Sequence, residues 1–484
     1  MSFAMYSFAV RCLNLRNIVQ VSDGVKDTNP KEAASGSLSQ VKIAFVCDEM
    51  TYANFSTECN AIFLTPYDWE EKLDKFRPDL FFCESAWEGL KEYKGCWRGK
   101  IYRNHLVWFE NRKALLRIIE YCNERQIPTV FWNKEDPLFF DDPKYDFIDT
   151  ALKFDYIYTT CQECIKDYKQ RGHSNVELLM FGVSPKVYNP LGSALKENKA
   201  IFAGSWYADQ EERCRDTERV FDMVLQKGIE LVIYDRNYGK NSFNTTYPKK
   251  YQEYIKPAVP YRELCDLIKR ARYAITINTI KDSKSMFARR AFEIVMCNTT
   301  LISNESIGLR EIFGDGIWFV DQDPGENDTP EIRKRNLELV LKSHTNKARL
   351  KEICIKTNII KSKISNPIAL LYWGIEEEIY RQHRKKQLGA YEKVGRFDGI
   401  QIQLDDNCEE SSIEYYYCVR DIEHIKNDCE TLVHHFEYLE KAVAIQSGEM
   451  DYTFTETTEW TNILIRKEDI GILTRNENIR IYCV

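Results

Sequence analysis

The sequence predicts an α/β fold with two doubly wound parallel-sheet domains that face each other across a cleft. Short runs of β-branched and aromatic residues alternate with amphipathic helical segments, the pattern of a parallel sheet covered by helices on both faces. A segment rich in Pro, Gly and Lys, residues 189–199, divides this alternation into two series of similar size. Clefts between domains are preferred binding places for small molecules, so we expect the site there.

Length and composition are those of a globular protein with several domains. The chain has 484 residues, of which 44% are hydrophobic and 29% are charged, and this length predicts two to four domains. The net charge of −7 argues against nucleic-acid binding, which requires a basic surplus. No run approaches the roughly 20 apolar residues of a membrane span. The 16 cysteines form no visible disulfide framework, so we expect a cytoplasmic protein.

The first predicted domain spans residues 41–188 and follows a flexible leader at residues 1–40. Its clearest helical segment is 111–126, in which apolar residues recur at the spacing of one helix face. Buried strands are predicted at residues 41–48, 79–85, 128–137, 154–160 and 176–182.

The second predicted domain spans residues 199–365. Its predicted strands are residues 199–204, 229–235, 273–278, 300–303 and 317–321. Its predicted helices include residues 210–227, 261–272, 286–298 and 306–313. A long helix at 369–386, within a segment 366–395, is predicted to close the domain. Residues 396–484 are predicted to form a small appended α/β module, the expected place for a partner or a second copy of the chain to bind.

The most informative stretch is the strand at 273–278 with the helix at 286–298 that follows it. Arg289, Arg290 and Glu293 lie near the start of this helix, opposite its apolar stripe. Parallel sheets bind ligands beyond the carboxyl ends of their strands, next to helix N-termini. The three charges suit an anionic, hydroxyl-rich ligand such as a nucleotide, with Glu293 accepting from vicinal ribose hydroxyls. The alternative is a solvated surface ion cluster.

Other residues of the second domain complete the predicted nucleotide site. Arg213, Lys284 and the backbone near Gly204 and Ser205 are candidates for binding phosphates. Tyr234 and Asp235 end a strand and could contact the base or the sugar, with plain strand-end surface as the alternative. The remaining two predicted ligand-binding residues are Asn278 and Ser285.

Carboxylates that follow strands of the first domain are candidates for a general base. These are Asp48, Glu49, Glu84, Glu135 and Asp136, of which Asp48, Glu135 and Asp136 are the predicted catalytic residues. Asp136-Pro137 also suits a simple turn. No metal site is predicted. Asp405-Asp406 is interpreted as an exposed turn, and Cys161-x-x-Cys164 lacks the second pair that zinc requires.

Several segments together resemble a known family. They are IPTVFWNKEDP (127–137), FDYIYTTCQECIKDY (154–168), AIFAGSWY (200–207) and RRAFEIVMCNTTLIS (289–303). Over about residues 41–325 the chain is similar to the CgeB-like glycosyltransferases of the GT-B class.

This resemblance implies a metal-independent, hexosyltransferase-type enzyme with two Rossmann-like domains. The implied donor is a nucleotide-diphosphate sugar, by default a UDP-sugar, and the acceptor is a glycan, a protein or a small molecule. Arg290 would contact the diphosphate and Glu293 the ribose. No other cofactor is implied, and the 189–199 linker would act as the hinge of domain closure.

The sequence departs from the family pattern at one position. Many retaining relatives carry two glutamates separated by seven residues, and the second matches Glu293. The first falls at Ser285, which is not a carboxylate. The resemblance therefore leaves the stereochemistry of transfer open. Two alternatives also stay open: a nucleotide-sugar epimerase or hydrolase on the same fold, and a non-catalytic protein that binds a sugar nucleotide.

Overall fold

The structure is a computed structural model. It describes residues 37–193, 195–240, 243–320, 328–361, 368–373, 393–398, 401–404, 413–419, 429–439, 444–446, 452–457, 462–469 and 479–484. The predicted leader therefore lies outside the described residues, except for its last four. Among the described residues, no helix is both long enough and apolar enough to span a bilayer.

The first domain is built on a sheet of six parallel strands. They are β1 (Lys42–Val46), β2 (Asn60–Phe63), β3 (Leu80–Glu84), β4 (Thr129–Asn133), β5 (Tyr156–Thr159) and β6 (Val176–Leu178). Their order is β2-β1-β3-β4-β5-β6, a doubly wound arrangement that reverses between β1 and β3. The five predicted strands are present. We did not predict β2, because a four-residue edge strand with little burial has a weak pattern.

Five helices cover this sheet. They are α1 (Glu49–Phe55), α2 (Trp69–Phe76), α3 (Lys113–Glu124), α4 (Phe147–Ala151) and α5 (Ile165–Gln170). The apolar stripe predicted for α3 is buried, including Leu115, Ile118 and Cys122. The helix packs this stripe into the core beneath the sheet.

The second domain contains another sheet of six parallel strands. They are β7 (Glu197–Gly204), β8 (Glu230–Asp235), β9 (Ile255–Pro257), β10 (Ala271–Thr276), β11 (Thr300–Ser303) and β12 (Trp318–Phe319). The order β12-β11-β10-β7-β8-β9 is that of a dinucleotide-binding domain, and it reverses between β7 and β10. The predicted pair of Rossmann-like domains, the architecture of the GT-B class, is confirmed.

The helices of the second domain are α6 (Glu211–Gln226), α7 (Tyr261–Arg270), α8 (Arg290–Met296), α9 (Ile307–Phe313), α10 (Pro330–Ser343) and α11 (Asn346–Lys356). Helix α8 is shorter than the predicted 286–298. The backbone N–H of Ala288 donates to Oδ1 of Asn278 at 2.7 Å, which holds the preceding residues in a loop. Asn298 ends the segment with φ of 53°, the left-handed turn that we expected there.

Helix α11 connects the second domain to the first. Leu350, Ile353 and Cys354 belong to the buried cluster of the first domain that contains Phe45. Arg349 donates from Nε to the backbone oxygen of Met180 at 3.1 Å. Helix α11 therefore follows the second domain in the chain and packs on the first domain.

In the C-terminal part, the described residues form a mixed sheet of eight strands. They are β13 (Ile368–Trp373), β14 (Lys393–Asp398), β15 (Gln401–Leu404), β16 (Tyr415–Val419), β17 (Ala444–Gln446), β18 (Thr453–Thr457), β19 (Ile463–Arg466) and β20 (Ile479–Cys483). The order is β15-β14-β13-β16-β19-β17-β20-β18. Helix α12 (Cys429–His435) contributes Leu432 to a buried cluster that also contains Leu337 of α10. The module thus shares a core with the second domain.

The predicted helix 369–386 is wrong over the part that the structure describes. Residues 368–373 form β13, which pairs with parallel strands on both sides. Ile368, Ala369, Leu370 and Leu371 are all buried. A continuous apolar run of this kind fits a central strand, but its periodicity does not distinguish it from a buried helix. Residues 374–386 lie outside the described residues.

Candidate functional site

A cleft of about 320 Å³ lies between the carboxyl-terminal edges of the two parallel sheets. Lys134 and Glu135, which follow β4, and Phe181 form the wall on the first domain. The wall on the second domain is formed by Phe202, Ala203, Gly204, Ser205, Tyr207, Arg213, Arg236, Ile275, Thr276, Ile277, Ala288, Arg289 and Arg290. The size and the interdomain position are those of a small-molecule site.

Two arginines meet at Tyr207 on the second-domain wall. The guanidinium carbon of Arg213 lies 5.2 Å from the centroid of the Tyr207 ring. Nη2 of Arg236 donates to the Tyr207 hydroxyl at 2.8 Å. Burial lowers the pKa of Arg213, but an arginine remains charged at neutral pH. No carboxylate pairs with either guanidinium in the part of the chain that the structure describes, so their charge is available to an anion.

The second arginine pair is organised around Glu293. This side chain is 1% exposed; Oε1 lies 3.2 Å from Nε of Arg289, and Oε2 lies 3.5 Å from Nη1 of Arg290. The hydroxyl of Tyr261 donates to Oε1 at 2.9 Å. Arg289 Nε, Arg290 Nη1 and Glu293 Oε2 are buried without a hydrogen bond of acceptable geometry. Buried polar atoms are rarely left unpaired, so these atoms fit a site that a polar ligand completes.

The ion cluster predicted as an alternative is thus present, but it is not a solvated one. Its arginines line the cleft, and its glutamate lies behind them. The expected contact of Glu293 with ribose stays a prediction.

Lys134 supplies the positive charge of the first-domain wall. Its ammonium lies 3.0 Å from Oε1 of the fully buried Glu84 and 3.4 Å from Oδ2 of Asp48. Burial alone would lower the pKa of Lys134, but the two carboxylates raise it. Burial raises the pKa of Glu84, and Lys134 opposes that shift. The lysine is therefore a fixed cation on the cleft wall.

Asp48 is a structural anion and not an exposed base. Its oxygens accept from the backbone N–H groups of Trp87, Glu88 and Gly89 at 2.9, 2.9 and 2.7 Å. Burial acts to raise the pKa of Asp48, but Lys134 and these three donors hold it below its usual value. The structure does not place Asp48 on the cleft wall.

Glu135 and Asp136 are adjacent in sequence, but only Glu135 lines the cleft. Asp136 is fully buried and accepts from Asn133 Nδ2 at 2.7 Å, Thr159 Oγ1 at 2.6 Å and the Tyr168 hydroxyl at 3.1 Å. Burial raises the pKa of Asp136 to about 7 against these hydrogen bonds. Burial also raises the pKa of the half-buried Glu135, and Lys134 opposes it. Glu135 is therefore the one of the three predicted bases that reaches the cleft.

The predicted residues at the ends of β7 and β8 are divided. Gly204 and Ser205 line the cleft. A Cβ at Gly204 would lie 2.6 Å from the ring of Phe202, so this close approach requires glycine. Tyr234 and Asp235 do not line the cleft, and Asp235 accepts from the backbone of Asn237 at 3.0 Å. Both fit the alternative of ordinary strand-end residues.

Asn278, Lys284 and Ser285 also lie away from the cleft wall. Asn278 is buried and holds the start of α8, and the ammonium of Lys284 lies 3.5 Å from Oε1 of Glu311. Oγ of Ser285 donates to the backbone oxygen of Thr160 at 2.9 Å and accepts from the backbone N–H of Gln162 at 2.8 Å.

We call this contact between residues 283–286 and residues 160–163 the interdomain clasp. Ser283 Oγ donates to Glu163 Oε2 at 2.7 Å, and the backbone N–H of Lys284 donates to Oε1 of the same carboxylate at 3.0 Å. Ser283 Oγ also accepts from the backbone N–H of Met286 at 3.0 Å. The clasp therefore ties the loop before α8 to the turn after β5 of the first domain.

Sequence reasoning missed several residues of the cleft, among them Lys134, Tyr207 and Arg236. Lys134 directly follows β4, where only carboxylates are predicted as site residues. Tyr207 lies in the quoted AIFAGSWY segment, and Arg236 directly follows β8. A search for all charged residues after strand ends could have found both cations.

Comparisons with known proteins identify the class of the second domain. Residues 218–355 match the model of a family described as Glycosyl transferase-like. The matched segment runs from within α6 nearly to the end of α11, so the predicted glycosyltransferase character of this region is confirmed. No curated protein sequence matches the chain.

Among solved structures, matches to the chain are found at low identity and with TM-scores below 0.5. Sucrose-phosphate synthase (tll1590) from Thermosynechococcus elongatus is 13% identical with a TM-score of 0.38, and the match covers 60% of this chain and 75% of that one. Anabaena Alr3699/HepE in complex with UDP-glucose is 12% identical with a TM-score of 0.38, and the match covers 66% of this chain and 95% of that one. An α-glucosyltransferase in complex with UDP-glucose and DNA is 9% identical with a TM-score of 0.44, and the match covers 66% of this chain and 98% of that one.

Proposed function

We propose that this chain is a CgeB-like glycosyltransferase of the GT-B class that transfers a sugar from a nucleotide-diphosphate sugar to an acceptor hydroxyl. The observation that supports it most is the cleft between two Rossmann-like domains, into which four arginines converge from the second domain. The departing diphosphate of such a reaction develops negative charge, and fixed cations stabilise that charge. We propose a cytoplasmic location, as expected from the cysteine content.

On the donor side, Arg213, Arg236, Arg289 and Arg290 bind the diphosphate. Glu293 orients the second pair and accepts from a ribose hydroxyl through Oε2, the oxygen that has no hydrogen bond of acceptable geometry within the protein. This requires the guanidinium of Arg290 to turn toward the diphosphate. The proposed donor is a UDP-sugar, because this is the donor that the resemblance to the CgeB-like glycosyltransferases implies by default.

On the acceptor side, Glu135 removes the proton of the attacking hydroxyl if transfer inverts the anomeric configuration. A base acts best when its pKa lies near the working pH, and burial shifts the pKa of Glu135 in that direction. Lys134 places a cation beside Glu135, and Asp48 and Asp136 hold the wall in place. The acceptor is a glycan, a protein or a small hydroxyl compound, and the C-terminal module is a further place for a partner or a second copy to bind.

Calorimetric titration with UDP, GDP and the corresponding sugar nucleotides tests the donor site. We expect micromolar to millimolar binding of one nucleotide class, and at least about tenfold weaker binding by the double variant Arg289→Ala/Arg290→Ala, since charge-assisted hydrogen bonds contribute about 1.5–3 kcal/mol each. Arg215→Ala is the matched control, because this exposed arginine of α6 pairs with Glu211 away from the cleft. Failure of every nucleotide to bind at millimolar concentration would contradict the proposal.

One observation supports a second candidate, a sugar-nucleotide-binding protein without transferase activity. Ser285 stands where many retaining relatives carry a glutamate, and its hydroxyl is occupied by the interdomain clasp. Such a protein would bind the nucleotide sugar without turning it over. An epimerase or hydrolase would consume the donor without an acceptor. Product analysis with and without acceptor hydroxyl compounds distinguishes these activities from transfer.

A further inference from the structure

A second pocket, of about 330 Å³, lies where helices α10 and α11 meet the C-terminal module. Lys342 near the end of α10 and Lys351 of α11 line one side. Tyr415 of β16 and Arg466 of β19 line the other. No described residue lines both this second pocket and the interdomain cleft. The two cavities are therefore separate sites of similar size.

The second pocket carries positive charge that the protein does not neutralise. Within the described ranges, no carboxylate pairs with Lys342, Lys351 or Arg466. A further cation, Lys347, lies 3.7 Å from Oε1 of Glu437. Glu437 and Glu414 are the two carboxylates of the lining, so its four lysine and arginine side chains outnumber them. Three cations in a chain with a net charge of −7 thus converge on one cavity.

Arg466 is held in a fixed orientation. Nη2 donates to the backbone oxygens of Leu439 at 3.0 Å and Phe436 at 3.4 Å. Its guanidinium carbon lies 4.6 Å from the centroid of the Phe436 ring, and that ring stacks on Tyr415 at 5.5 Å with an interplanar angle of 20°. The two carbonyl groups and the ring satisfy part of the Arg466 guanidinium but do not neutralise its charge, so an external anion would stabilise it.

We propose that the second pocket binds a small ligand that carries two or three linked phosphate groups. Three cations on two sides of one cavity, of which Arg466 is held in place, match an anion of several charges better than a single carboxylate or phosphate. Arginine and lysine are the side chains that most often bind phosphate oxygens. Such a ligand bridges α11, which packs on the first domain, and the module that shares a core with the second. This site is independent of the proposed donor site.

Titration of the full chain with inorganic pyrophosphate tests the proposal. We expect two binding sites per chain, because the arginines of the cleft provide one and the second pocket provides the other. In the charge-reversal variant Lys342→Glu/Lys351→Glu, the second pocket should bind pyrophosphate at least about tenfold more weakly. The titration should then show one site in place of two. The variant should still bind the donor nucleotide like the wild type. Lys113→Glu/Lys169→Glu is the matched control, because it changes the net charge equally at two exposed positions of the first domain.

Hydrogen exchange locates the binding. Protection by pyrophosphate at residues 342–351 and 462–466 supports the site, and protection confined to the cleft overturns it. Unchanged stoichiometry in the Lys342→Glu/Lys351→Glu variant, with an unchanged melting temperature, also overturns it. The variant Arg466→Lys keeps the charge but loses the planar fork, and should bind several-fold more weakly. Titration with ATP on the Arg289→Ala/Arg290→Ala background separates two sources of the same chemistry. Tighter binding than pyrophosphate indicates a nucleotide, and equal binding indicates the free phosphate chain.

Discussion

Ser283 of the second domain donates a 2.7 Å hydrogen bond to the carboxylate of Glu163 in the first domain. This bond belongs to the interdomain clasp, which ends only three residues before Arg289. The position of the arginine pair on the cleft wall is therefore coupled to the contact between the domains. If the domains separate, the loop that precedes α8 loses its partners in the first domain.

The first prediction concerns this coupling. Glu163→Ala removes the acceptor of Ser283 Oγ and of the Lys284 N–H, so the closed arrangement should lose about 1 kcal/mol and donor affinity should fall about fivefold. Calorimetry with the donor nucleotide and small-angle scattering of the free protein measure the two effects. Glu70→Ala, at an exposed position of α2, is the control. Unchanged affinity and unchanged dimensions would show that the clasp does not control the donor site.

The carboxylate of Glu163 also predicts a pH dependence. Burial acts to raise the pKa of Glu163, but hydrogen bonds from Lys284 and Ser283 hold it below its usual value. A lowered folded-state pKa gives stability that is present above the unfolded-state pKa and is lost as the pH falls through the folded-state pKa. The difference in donor affinity between wild type and Glu163→Ala should therefore be full at pH 7 and shrink below pH 4.

Replacement of the proposed base separates chemistry from binding. Glu135→Gln should leave donor affinity unchanged and lower kcat by about 10²–10⁴-fold if Glu135 deprotonates the acceptor. Because burial raises the pKa of Glu135, the wild-type rate should rise with pH through a value above that of an exposed glutamate. The variant should lose this limb of the pH profile. Glu120→Gln on the exposed face of α3 serves as the control, and a normal kcat in Glu135→Gln would remove the residue from the mechanism.

The neighbouring Asp136 should act on stability and not directly on chemistry. Its folded-state pKa is raised to about 7 by burial, so the folded state binds more protons than the unfolded state between about pH 4 and pH 7. The free energy of unfolding should therefore fall across this interval as pH rises, by up to a few kcal/mol. Asp136→Asn should flatten this dependence. Denaturant titrations at pH 4.5 and 7.5 measure it, and equal slopes in both proteins would contradict the assignment.

The sequence predicted the local features of this molecule better than its long-range contacts. Alternating strands and helices, the charged face of α8 and the turn at Asn298 follow from residue patterns that span a few positions. The same patterns do not say which of two adjacent carboxylates, Glu135 or Asp136, faces the cleft. They also do not show that Arg236, which directly follows β8, contacts Tyr207. Such neighbours are set by tertiary packing, which a single sequence does not display.

The wrong expectation in the C-terminal half, the helix at 369–386, has a local cause. The apolar run of β13 shows burial without period, which fits a helix and a central strand equally. From the sequence, Ser285 is only the place of a carboxylate that this chain lacks. In the structure its hydroxyl belongs to the interdomain clasp.

The ribose assignment of Glu293 can be tested with a modified ligand. If Oε2 accepts from the 2′-hydroxyl, wild-type protein should bind the 2′-deoxynucleotide about fivefold to tenfold more weakly than the nucleotide. Glu293→Gln should bind both more weakly than the wild type and discriminate less between them. If Glu293→Gln weakens the binding of the nucleotide and of the 2′-deoxynucleotide by the same factor, Glu293 only orients Arg289 and Arg290.

The last prediction concerns α11, which follows the second domain in the chain but packs on the first domain. Ile353 is fully buried in the first-domain cluster, so Ile353→Ala should cost about 2–5 kcal/mol. Leu341→Ala on α10 is the matched control, since Leu341 is equally buried within the core that the second domain shares with the module. Both variants should melt at lower temperature, but only Ile353→Ala should increase the separation of the domains in small-angle scattering. It should also weaken donor binding at temperatures where the chain is still folded. If the two variants behave alike in scattering, the packing of Ile353 does not hold the domains together.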